Sequence, residues 1–175
     1  MLNLSDLANG CPAITPGFGE YLAQAGAVCL ESQGHTQGKS LDLQGDQTSH
    51  YSLKWPQVTA QIQRCLHDPE EATELGATGI AVLLAKKITG FTAVQRSRKG
   101  TGFDYWLGED KGEPFQNKAR LEISGIRCGG GRDIKSRVAK KLKQTNPSDN
   151  TGLPAYICIV EFSQPVAEVR QKCMM

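Results

Sequence analysis

Two acids stand where the sequence otherwise writes apolar strands. Between Lys99 and Ile126 the chain reads KGTGFDYWLGEDKGEPFQNKARLEISGI. Asp104 follows the Gly-rich entry GTGF, and Glu122 sits inside ARLEIS. A carboxylate inside a strand pattern is expensive to bury unless something pairs with it. Two of them on successive strands point to a shared cation or a shared reaction centre. Alternation along a strand puts residues i and i+2 on one face, so Ser124 faces the same way as Glu122. Each acid alone also has a structural reading. Asp104 can cap a turn after Gly102, and Glu122 can pair with Arg120 or Lys118 at a sheet edge.

The flanking chain supplies the elements around these strands. Residues 1–17 are broken by Gly10, Pro12, Pro16 and Gly17 and read as irregular. A short helix is expected over Phe18–Gln24, closed by Gly26, with a strand over Ala27–Ser32. SLDLQ (40–44) and YSLKW (51–55) alternate apolar and polar, so residues 27–55 form an antiparallel meander. A helix over 57–66 follows Pro56. Asp68 as N-cap and Pro69 at the first helical position open a longer helix to about Lys87, stopped by Gly90. Its interior LGATGIAVLLA is apolar nearly all round and must be buried. Glu71, Glu74 and Thr78 share one of its faces. Strands are expected over 91–95, 103–107 and 119–126, then a basic helix over 132–144 with Ile134, Val138 and Leu142 as its apolar stripe. AYICIVEF (155–162) reads as a buried central strand, and the residues from Val166 as a short charged tail.

Composition excludes several classes. The 175 residues are 39% hydrophobic and 22% charged with a net charge of +2, which is neither a disordered nor a membrane composition. The expectation is a single domain over 1–175, in which 1–67 is an N-terminal extension, 68–163 the core and 164–175 a tail. The six cysteines show no C-x-x-C pair and no histidine at zinc spacing. With no signal segment and no membrane span in the sequence, reduced thiols and a cytoplasmic location are expected. GTG at 100–102 lacks the G-K-[ST] ending of a P-loop.

The order helix, strand, strand, strand, basic helix, strand, with Glu74, Asp104 and Glu122 on its first helix, second strand and third strand, resembles the PD-(D/E)xK nuclease superfamily over about residues 68–163. That resemblance implies an α/β (α+β) fold: a restriction-endonuclease-like core with a mixed central sheet flanked by helices, here with N-terminal antiparallel strands added. It implies Mg²⁺ or Mn²⁺ held by Glu74, Asp104 and Glu122, phosphodiester hydrolysis in DNA, and a setting in defence or repair. Mg²⁺ suits such a site because it prefers oxygen ligands, stabilises charge on a phosphate and acidifies a bound water.

The chain departs from that pattern at one place. The family's lysine, two residues after the strand acid, is here Ser124. A hydroxyl supplies no positive charge. The cation must come from elsewhere, with Lys135, Arg132 and Lys99 as candidates, or the metal acts alone, or the chain is a catalytically inactive nucleic-acid-binding or protein-interaction subunit. Asp104, Glu122, Ser124 and Lys135 are therefore the catalytic candidates. Arg96, Arg98, Lys99, Arg132, Arg137 and Lys140 are candidate phosphate contacts, because such cations carry most sequence-independent affinity for nucleic acid. A solvated helix face explains the cations of 132–143 equally well. A partner protein or a homodimer is compatible with either role.

Overall fold

The computed structural model describes residues 1–173, and its frame is an eight-stranded mixed sheet. In chain order the strands are β1 (Leu2–Asn3), β2 (Ser40–Gly45), β3 (Ser49–Lys54), β4 (Thr92–Arg96), β5 (Tyr105–Gly108), β6 (Ala119–Ile126), β7 (Ala155–Glu161) and β8 (Val166–Lys172). In space they run β1-β3-β2-β8-β7-β6-β5-β4. β6 and β7 are parallel, as are β2 with β8 and β1 with β3, and the other pairs are antiparallel. The helices are α1 (Pro16–Ser32), α2 (Ala60–Cys65), α3 (Pro69–Thr89) and α4 (Gly131–Gln144). The architecture is mixed α/β, as expected; from Pro69 the chain runs α3, β4, β5, β6, α4, β7 and β8.

Alternation along the central strands sorts two cores. Leu121 and Ile123 of β6 and Cys158 and Val160 of β7 pack with α1 and α3 on one face. Ile126, Ile157 and Ile159 pack with Ile134 and Val138 of α4 on the other. Helices therefore cover both faces, and the all-round apolar reading of α3 is explained by its place between sheet and α1. Its ends are the ones the sequence marks. Asp68 Oδ1 accepts from the Glu70 and Glu71 amides at 2.9 and 2.8 Å. Gly90 closes the helix with φ of 75°, a left-handed geometry that favours glycine.

The N-terminal third departs most from expectation. Ala27–Ser32 is no strand but the second half of α1, so Gly26 stops nothing. It lies where α1 crosses α3: a Cβ on Gly76 would stand 2.9 Å from Gly26 Cα. The glycine is a notch for close packing, and burial of Ala27, Cys29 and Leu30 outweighs local propensity. The expected meander reduces to the β2–β3 hairpin, with β1 added beside β3. Residues 1–17 are not wholly irregular either, because Leu4–Asn9 forms a 3₁₀ turn. The charged tail is strand β8. Ala167 and Val169 face the core, while Arg170 pairs with Glu168 at 2.8 Å and Lys172 with Asp149 at 2.6 Å. These ion pairs hide the strand's alternation behind a charged sequence. β8 also ties the β2–β3 hairpin to the core sheet. Among the described residues no helix is long and apolar enough to cross a membrane.

Candidate active site

Glu122 stands on β6, between β5 and β7, and is 1% exposed. A mid-sheet carboxylate cannot reach water, so its partners must be protein groups. They come from α4: Lys141 Nζ lies 2.5 Å and Gln144 Nε2 2.9 Å from Glu122 Oε1. One turn earlier on the same helix face, Arg137 Nη1 donates to Ser124 Oγ at 2.7 Å. The i, i+4 spacing of the helix thus meets the i, i+2 spacing of the strand. The pairing of Glu122 with Arg120 is not formed. Arg120 is fully buried and engages Ser148 Oγ at 2.6 Å and the Leu153 carbonyl at 2.7 Å, pinning the 145–153 segment.

Asp104 enters from the turn before β5. Its amide donates to the Leu121 carbonyl and its own carbonyl accepts from the Ser97 amide, both at 2.8 Å. Its Oδ2 accepts from the Ile123 amide at 2.8 Å. The turn is seated by Gly102, with φ of 82°, where any Cβ would fall 1.9 Å from the Gln144 carbonyl oxygen. Only glycine lets the turn nest against the end of α4, beside the residues that hold Glu122. The negative charge of Asp104 acts on Glu122. Burial, then the charge of Asp104, pushes the Glu122 carboxyl up to about 7, against the pull of Lys141. Two carboxylates and one ammonium are thus supplied by a turn, a strand and a helix.

Asp104, Ser124 and Lys141 open into a cleft of about 330 Å³. Its other wall is one face of α3, bearing Glu71, Glu74, Leu75 and Thr78, and Phe18 of α1 and Arg96 of β4 complete it. Arg96 donates to the Tyr105 hydroxyl at 3.1 Å, with its guanidinium 5.4 Å from that ring's centre. A second cleft of about 510 Å³, lined in part by Glu74, Arg127 and Arg137, adjoins the first.

The expected residues therefore divide. Asp104, Glu122 and Ser124 come together, and Arg137 and Arg96 border them. Glu74 shares the cleft with Asp104 but is exposed on the facing helix. Among the described residues no three of histidine, cysteine, aspartate and glutamate stand close enough to hold a metal ion, so Glu74 does not complete a three-acid set. Glu122 does not line the cleft and its Oε1 is held by Lys141 and Gln144, so of the two strand acids Asp104 is the one that opens into it. Lys135 is not the replacement cation. It is exposed on α4, as are Arg132 and Lys140, and Arg98 and Lys99 are exposed in the loop after β4. The cation at the site is Lys141. The sequence did carry a signal for it: Arg137 and Lys141 each follow an apolar stripe residue, Ile134 and Val138, by three positions. That spacing turns them toward the sheet while the other α4 cations turn away.

Comparison with protein-family models, with curated proteins and with solved structures finds no match to this chain.

Proposed function

We propose that the chain is a metal-dependent, nuclease-like phosphodiesterase acting on DNA, built on a restriction-endonuclease-like core. The observation that carries this reading is the ammonium of Lys141, 2.5 Å from Glu122 and opening into the same cleft as Asp104. It supplies from α4 the charge that Ser124 lacks on β6. Asp104, which opens into the cleft, and Glu122 would hold the metal, and Mg²⁺ or Mn²⁺ there would neutralise charge on a scissile phosphate and acidify a water. Lys141 balances the acid pair. Arg137, fixed on Ser124, holds the cation-bearing face of α4 against β6, and Arg96 offers a phosphate contact at the cleft mouth.

A second reading is favoured by one specific feature. Glu122 is already satisfied by Lys141 and Gln144, so the site is balanced without a metal and suits a non-catalytic nucleic-acid-binding or interaction subunit. Cleavage assays separate the two. Wild-type protein with Mg²⁺ or Mn²⁺ is expected to cut DNA, and Asp104→Ala and Lys141→Ala are each expected to slow cutting by at least about 100-fold. No cutting by the wild type on single- or double-stranded DNA or RNA selects the second reading.

A further inference from the structure

The geometry points to a subsite for one unpaired nucleotide, with its base lying against Phe18 and Leu75 and its phosphate turned toward Lys141 and the acid pair. This rests on the reading of that cleft as a phosphodiester site and adds the form of strand it takes.

The cleft offers two kinds of surface. Lys141, Asp104 and Ser124 contribute polar groups, and Phe18, Leu75 and Ile123 contribute apolar surface, with Glu71 and Glu74 beside Leu75 on α3. A phosphate needs the first kind of surface and a base the second. The volume, about 330 Å³, lies at the small end of pockets that enclose a compact organic ligand. Inside a duplex both faces of a base are covered by its neighbours, so an aromatic wall in such a cleft can stack only on a base that has left the helix.

Phe18 is held in place before any ligand arrives. It lies in the first turn of α1, where its amide donates to the Thr15 hydroxyl at 3.3 Å. The next residue, Gly19, packs so closely that a Cβ there would fall 1.9 Å from the Leu7 carbonyl oxygen. The start of α1 is therefore seated on the 3₁₀ turn, and the ring is presented half-buried at the cleft rather than swung in from a loop.

The test is a binding comparison on the whole chain at one salt concentration, with Ca²⁺ in place of Mg²⁺. Its probes are a short single-stranded DNA, its duplex, and an abasic strand of the same charge. Wild-type protein is expected to bind the base-bearing single strand roughly tenfold tighter than either of the others. Phe18→Leu, which keeps an apolar side chain but removes the ring, should erase that preference, and Phe18→Trp should keep it. Equal affinity for all three probes, or a preference that survives Phe18→Leu, overturns the subsite. If the preference is present but the wild type cuts nothing with Mg²⁺ or Mn²⁺, the nuclease reading falls and the subsite stands. If duplex is cut as fast as single strand, with no effect of Phe18→Leu, the subsite falls and the nuclease reading stands.

Discussion

Lys141 carries its ammonium to the sheet from a helix that shows Arg132, Lys135, Lys140 and Lys143 to solvent. The acids it meets were legible because a carboxylate in an apolar strand has few explanations. The lysine was harder to single out, because its sequence neighbours carry the same charge and only its three-residue spacing from Val138 sets it apart. The pairing has a pH signature. The folded-state value of Glu122 is raised, so the group's contribution to stability is fully present below about 4.5 and is lost as pH rises through about 7. Lys141→Ala removes the cation that offsets this loss. Denaturant unfolding should show a cost of about 3 kcal/mol at pH 8, shrinking toward pH 5.5, where the carboxyl is protonated; a cost independent of pH would refute the assignment. The thiols give a second check at this scale. Burial pushes Cys29 up to about 11 and Cys158 up to about 12, whereas Cys65, Cys128 and Cys173 are exposed. Alkylation of native protein, read by mass spectrometry, should modify those three quickly and leave Cys29 and Cys158 untouched until unfolding.

At the scale of elements, α3 was readable from both ends because Asp68 and Gly90 act through local hydrogen bonds and backbone geometry. α1 was not, since the meaning of Gly26 depends on a helix more than forty residues away in sequence. The same residue type signals a stop or a close crossing, and only packing decides between them. Two substitutions measure the difference. Gly17 has open space around its Cβ position, in the first turn of α1, so Gly17→Ala should raise stability by up to about 1 kcal/mol. Gly76→Ala gains the same propensity but drives a methyl against the backbone of α1, which costs about 1–3 kcal/mol. Thermal melts should therefore place Gly17→Ala at or above wild type and Gly76→Ala below it. The reverse order would remove the close crossing from the account of α1.

In the whole molecule the least legible feature is the one that joins its halves. The residues from Val166 look like a solvated tail because Lys172 and Arg170 of β8 find partners distant in sequence, Asp149 and Asp46. Yet β8 lies between β2 and β7, and without it the N-terminal hairpin has no place in the sheet. Removal of residues 166–173 should abolish the single cooperative unfolding transition, as followed by circular dichroism, while wild type shows one. A truncated chain that still unfolds cooperatively would make β8 an accessory. The position of this strand also governs timing. Asp46 and Arg170 are 124 residues apart, and β2 cannot complete its pairing until β8 has been synthesised. Closing so long a loop before any contact rewards it slows folding. Until then the hairpin waits on the ribosome with a bare strand edge, which is a template for association with other chains. Yield on expression should consequently depend on temperature and on chaperones far more than the stability of the finished protein does.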